Sequence, residues 1–111
     1  MNIRIENMKS ARTSEPVKNQ ILVHVTTDKE EVSTFFSYSA KIFELYTRDW
    51  KRTIALGEKW DYSVTTGKYR DQALERLLGE KVGKKTLEQG LRDGFIVISG
   101  ANVAVTRDNF Y

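Results

Sequence analysis

The sequence predicts an α+β domain in which a mainly antiparallel sheet of about four to six strands carries two helices on one face. Three observations predict it. Alternating, β-branched segments fill the first half of the chain, the apolar period lengthens to about 3.6 residues after Trp60, and short β-rich segments return after Gly94. With 111 residues the chain has the length of one domain. Residues 1–111 are therefore expected to share one core, with residues 1–19 forming an N-terminal strand and a connector with room to move.

Asn2 to Glu6 alternates Ile3 and Ile5 with polar residues and predicts a short strand, while Met8 to Asn19 is polar, carries Pro16 and reads as the connector. Ile21 to Thr27 is rich in β-branched residues, Asp28-Lys29-Glu30-Glu31 is a polar turn, and Val32 to Tyr38 completes a hairpin. A second hairpin is expected from Lys41 to Tyr46, a turn at Thr47 to Asp49, and a return from Trp50 to Leu56. In its first strand Ile42, Glu44 and Tyr46 share one side against Lys41, Phe43 and Leu45. The two hairpins suggest a four-strand meander.

From Thr66 the positions Tyr69, Ala73, Leu74, Leu77 and Leu78 recur at helical spacing; Thr65 or Thr66 is placed to cap the helix, and Gly79 to end it in left-handed geometry. Thr86-Leu87-Glu88-Gln89 fits a capping box, and the short helix it opens is expected to stop at Gly94. Phe95 to Ser99 is an apolar run expected as a buried strand. Asn102 to Arg107 alternates as a final strand, which either completes the sheet or pairs with another chain through an exposed edge, a route to a homodimer.

Composition excludes several chemistries. The absence of cysteine rules out disulfides, thiolate metal sites and a cysteine nucleophile, and suits a reducing compartment. Apolar runs such as Phe95 to Ile98 fall far short of the roughly 20 residues that span a bilayer, and the N-terminus lacks a signal-peptide core. The expected location is the cytoplasm. A net charge of +3 and a pI near 9.2 invite a nucleic-acid reading, but acids and bases are interspersed, as on an ordinary soluble surface, whereas phosphate binders concentrate Lys and Arg. His24 is the only histidine, on a strand face shared with Leu22 and Thr26, and no G-x-S-x-G places a serine for nucleophilic attack. Gly79, Gly83, Gly90 and Gly94 punctuate helices and form no phosphate loop. No catalytic, cofactor-binding or metal-binding residue is expected, and the chain is not read as an enzyme.

The densest cluster of chemistry runs from Trp60 to Arg70, where sheet pattern gives way to helix. As a structural junction, Asp61 and Ser63 bond backbone in turns, Thr65 and Thr66 cap the helix, and Trp60, Tyr62 and Tyr69 bury area over the sheet edge. The competing reading is an anion site at the helix N-terminus with Lys68 and Arg70 in the first turn. Basic residues there oppose the helix dipole, which favours the structural reading.

Arg12-Thr13, Val17-x-Asn19-Gln20, Phe36-Ser37-Tyr38, and the run Trp60-Asp61-Tyr62-Ser63 with Thr65-Thr66 and Lys68-Tyr69 before a leucine-bearing helix together resemble a family of small bacteriophage and mobile-element proteins. The resemblance covers residues 12 to 98, and the W-D-Y-S-x-T-T-x-K-Y pattern is its specific part. The chain departs from it in a longer insertion between Tyr38 and Trp60 and in an added apolar tail. The resemblance implies a phage or mobile-element origin and no particular activity; because small phage proteins without catalytic groups often act by binding host machinery, a defence nuclease complex included, a host protein is the expected partner and an anti-CRISPR or other anti-defence factor an expected class.

Two functions are therefore carried forward. In the first, a non-enzymatic protein binds a host protein through Tyr46, Arg48, Trp50, Lys51 and Arg52, since Trp, Tyr and Arg supply most interface hot spots. In the second, Trp50, Tyr46 or Tyr62 stack nucleic-acid bases while Lys51, Arg52, Lys68, Arg70, Lys81, Lys84 and Lys85 neutralise phosphates.

Overall fold

The computed structural model describes residues 1–107. The elements follow as β1 (Asn2–Lys9), β2 (Pro16–Thr26), β3 (Glu30–Ser37), β4 (Ala40–Arg48), β5 (Lys51–Leu56), α1 (Val64–Leu78), α2 (Lys84–Asp93), β6 (Phe95–Ile98) and β7 (Ala101–Arg107). All seven strands form one sheet in the order β1-β2-β3-β4-β5-β7-β6. Every neighbouring pair is antiparallel except β5 and β7, which run parallel. The α+β class holds, with one strand beyond the expected range.

Three hairpins close on two-residue turns, at Tyr38-Ser39, Asp49-Trp50 and Ser99-Gly100, in each of which both residues have positive φ. That is the type I′ geometry, whose twist matches that of the flanking strands. Only Ser99-Gly100 carries the glycine such turns favour. The second hairpin turn thus lies at Asp49-Trp50 instead of Thr47 to Asp49, and Trp50 belongs to the turn, not to β5.

Both helices lie on one face. Tyr69, Ala73, Leu74 and Leu78 of α1 and Leu87 of α2 share the buried core with Leu22, Phe35, Phe43, Ile54, Leu56, Ile96, Val103 and Val105 from alternate positions of six strands. The register between β3 and β4 slips where Phe36 pairs with Lys41 and Phe35 with Phe43, leaving Ile42 as an extra residue. A bulge of this kind turns two successive side chains to one side, which is why Ile42 and Phe43 are both buried. The strict alternation expected through Lys41 to Tyr46 fails there. At Gly90 a Cβ would stand 2.7 Å from Val105 Cγ2 and 2.8 Å from Ile96 Cγ2, so α2 approaches the sheet where only glycine fits.

Other boundaries move for local reasons. A second irregularity pairs Lys9 with Pro16, which extends β1 and β2 and shrinks the expected Met8 to Asn19 connector to the turn around Ser10–Glu15. Met8, expected in that connector, is buried. α1 begins three residues before Gly67 and is capped by Ser63, whose Oγ accepts from the Thr66 amide at 3.1 Å, so neither Thr65 nor Thr66 is the cap. α2 begins at Lys84 behind Gly83 with no side-chain cap bond, and the Thr86 capping box does not form. β6 is an edge strand with Ile96 and Ile98 inward but Phe95 and Val97 exposed, not a strand buried on both faces. β7, the expected final strand, is interior between β5 and β6 and is not the free edge. No helix among the described residues is long and apolar enough to cross a membrane.

Candidate functional site

The aromatic-hydroxyl junction is built around a buried ion. Arg70 is 2% exposed; its Nη1 donates to the Trp60 carbonyl at 2.9 Å, its Nε and Nη2 reach Asp71 Oδ1 at 2.9 and 2.8 Å, and its guanidinium lies 5.3 Å from the Trp60 ring centre. Asp61 stands 3.7 Å from Arg70 and takes Lys84 Nζ at 2.8 Å. The hydrogen bond from Lys84 to Asp61, and then the carboxylate's charge, raise the lysine pKa above its ordinary value. Thr66 Oγ1 meets Ser37 Oγ at 3.2 Å, fastening α1 to the end of β3. Trp60 and Tyr69 are buried as expected of junction residues.

Two residues depart from that expectation. Tyr62 is exposed, with Lys59 Nζ 5.2 Å from its ring centre, and Thr65 is exposed within the first turn. They line a cavity of about 430 Å³ with Tyr38, Ile42 and Ser63. Arg70 leaves the set of phosphate contacts, because its guanidinium is enclosed and its donors are spent on protein acceptors. Lys84 is held by Asp61, and Lys68 Nζ lies 5.3 Å from the Tyr69 ring centre. Lys81 and Lys85 are exposed.

His24 joins three elements. Its Nδ1 lies 2.9 Å from Ser33 Oγ and its Nε2 2.8 Å from Glu6 Oε1, while Glu6 Oε2 takes Arg76 of α1 at 2.7 Å. Serine, imidazole and carboxylate in contact form the constellation of a hydrolase triad, although there the serine bonds Nε2. An oxyanion also needs free backbone donors. Ser33 sits in mid-strand with β2 and β4 on either side, so the surrounding amides are engaged in ladders. The cluster therefore fastens β1, β2, β3 and α1 together.

The opposite face of the sheet carries a different surface. One register row crosses all seven strands as Ile3, Val25, Val32, Tyr46, Thr53, Ala104 and Phe95. The row beside it begins Ile5, Val23, Thr34 and Glu44, and Ile21 with Phe36 extends the apolar area. Ile3 is 57% and Ile5 64% exposed. Across β1 to β3 the helix side mixes polar Arg4, Glu6, His24 and Ser33 with the buried Met8, Leu22 and Phe35, while isoleucine and valine dominate the side that no described helix covers.

At one end of this face stands the β4–β5 hairpin. Trp50 is 99% exposed at φ 66°, a backbone region costly to a bulky side chain. Alternation puts Tyr46, Arg48 and Lys51 on the outer face and Arg52 on the helix side with Ile54. Tyr46 is half-buried, its hydroxyl donating to Glu44 Oε1 at 2.8 Å. The structure thus gathers four of the five candidate partner contacts around one corner and turns Arg52 away. No family model, curated protein or solved structure matches the chain. The outer face itself escaped sequence reading, because alternation says which residues share a face, not which face the helices take.

Proposed function

We propose that the protein is a non-enzymatic accessory factor that binds another protein through the outer sheet face and the Trp50 hairpin. The observation that carries this reading is the apolar outer side of β1 to β3, where Ile3, Ile5, Val23, Val25 and Val32 stand on a face that no described element covers. Contiguous exposed apolar area on a soluble protein marks an interaction surface. Its composition favours protein over nucleic acid, since aliphatic side chains offer nothing to phosphates and binding there depends on clustered Lys and Arg. Trp50 with Arg48 and Lys51 supplies the aromatic and cationic anchors of an interface hot spot. The partner in this reading is a host protein that the factor inhibits or redirects, an anti-defence role included, as small phage-type proteins without catalytic groups often act on host machinery.

The test is affinity capture from a bacterial host lysate with the wild-type chain and Trp50→Ala, read by mass spectrometry, beside titration of labelled single-stranded and duplex DNA at two salt concentrations. A protein retained by the wild type and lost with Trp50→Ala supports the proposal. Tight DNA binding that falls steeply with salt, without a retained protein, replaces it with the nucleic-acid reading.

A further inference from the structure

The sheet has two edges, and they are not alike. β6 is a four-residue strand. β1 spans eight residues, and its closure is confined to one end, where the Gln72 side chain occupies the backbone of Lys9. From Asn2 to Asn7 the backbone groups that point away from β2 meet no described element. Natural edges are blunted by proline, lysine, bulges, inward-pointing charges or covering segments. Between Asn2 and Asn7 the strand carries only inward-pointing charges, Arg4 and Glu6, whose opposite signs let the edge accept a partner that sets one against the other.

We infer that this edge pairs with the same edge of a second copy, antiparallel about a two-fold axis through Ile5, joining two sheets into one of fourteen strands. The occupant follows from the sequence of the strand itself. Antiparallel pairing about an axis normal to the sheet keeps each face continuous only when the axis passes through a residue, since residues directly opposite share a face. An axis at Arg4 sets Arg4 against itself, and one at Glu6 sets Glu6 against itself. An axis at Ile3 faces Ile5 with Met1, and one at Asn7 faces Ile5 with Lys9, whose backbone Gln72 already holds.

An axis at Ile5 sets Ile5 against Ile5, Ile3 against Asn7, and Arg4 against Glu6 twice over, once on each side of the axis. It alone of these registers pairs opposite charges across the seam. The groups are available for it: Arg4 makes no ion pair with any described residue, and the Glu6 carboxylate, bonded by His24 and Arg76, has acceptor capacity for a further donor. The pairing also brings the exposed Ile3 and Ile5 of both copies together on the outer face.

The chain contains no cysteine, so one introduced thiol reports on the seam without interference. Light scattering across the micromolar range is expected to give twice the 12.8 kDa chain mass. Ile5→Lys, at a position 64% exposed, is expected to weaken association at least about tenfold by placing two ammonium groups on the axis, with the thermal unfolding of the monomer unchanged. Under mild oxidation Ile5→Cys is expected to form an interchain disulfide, and Val64→Cys, 91% exposed on α1, to form none. A monomer mass at every concentration overturns the inference. So does a dimer that survives Ile5→Lys, or one whose Ile5→Cys variant cross-links no faster than Val64→Cys.

Discussion

The side-chain amide of Gln72 reproduces a strand partner for Lys9: Nε2 donates to the Lys9 carbonyl and Oε1 accepts from the Lys9 amide, each at 2.8 Å. A residue of α1 thus completes the backbone bonding of an edge strand sixty-three positions away in sequence. Gln72→Ala is expected to cost about 1–2 kcal/mol, two hydrogen bonds at a partly exposed site. Hydrogen exchange should show the Lys9 amide losing protection while β3 and β4 keep theirs.

Arg70 is the costliest ion to remove. Arg70→Ala is expected to lower stability by about 3 kcal/mol or more, since the cation leaves behind a buried Trp60 carbonyl and an Asp71 carboxylate. Arg70→Lys should recover little, because an ammonium cannot present the same planar fork to Trp60 and Asp71 while lying over the indole. Chemical denaturation of the three proteins measures both differences.

Trp50 separates binding from stability. Trp50→Gly is expected to raise the unfolding free energy by about 1 kcal/mol, because glycine relieves the left-handed backbone of the Asp49-Trp50 turn. The same change should weaken partner binding by about a hundredfold if the indole is an anchor. A melting curve and a binding isotherm on one sample then move in opposite directions, the signature of strain kept for function.

Gly90→Ala sets two effects against each other. Intrinsic propensity favours alanine in a helix by about 1 kcal/mol, but its methyl group would overlap Val105 and Ile96. Overpacking costs about 1–3 kcal/mol, so net destabilisation is expected in thermal or denaturant unfolding.

The exposed Lys84–Asp61 pair adds a small pH dependence at the alkaline end. Its pKa is raised in the folded chain, first by the hydrogen bond to Asp61 and then by that carboxylate's charge. A raised folded value means the stabilisation is fully present below the unfolded value of 10.5 and is lost as pH climbs through the folded one. Thermal midpoints of wild type and Lys84→Met should therefore converge at strongly alkaline pH, and high salt should narrow the gap at neutral pH.

Much of the layer structure was legible because it is local. The spacing of Tyr69, Ala73, Leu74 and Leu78 announces α1, and Gly79 and Gly94 end the helices in left-handed geometry as their positions suggest. Tyr38-Ser39 and Asp49-Trp50 were illegible as I′ turns because neither supplies the glycine that lowers the cost of positive φ. The burial of Arg70 was equally hidden, since it depends on a carbonyl ten residues back and on the Trp60 ring. The placement of β7 beside β5 is a long-range choice that no local period encodes.

That placement has a temporal side. On a growing chain β1 to β5 emerge in spatial order and can zip as neighbours, but β6 has only β7 as a strand partner, and β7 must slot between two strands made before it. Closing the β5–β7 ladder joins residues separated by nearly half the polypeptide, an entropically slow step. Until it happens β5 is a temporary boundary open to strangers, so a nascent or truncated chain lacking Ala101–Arg107 is the form most exposed to mispairing and to proteases.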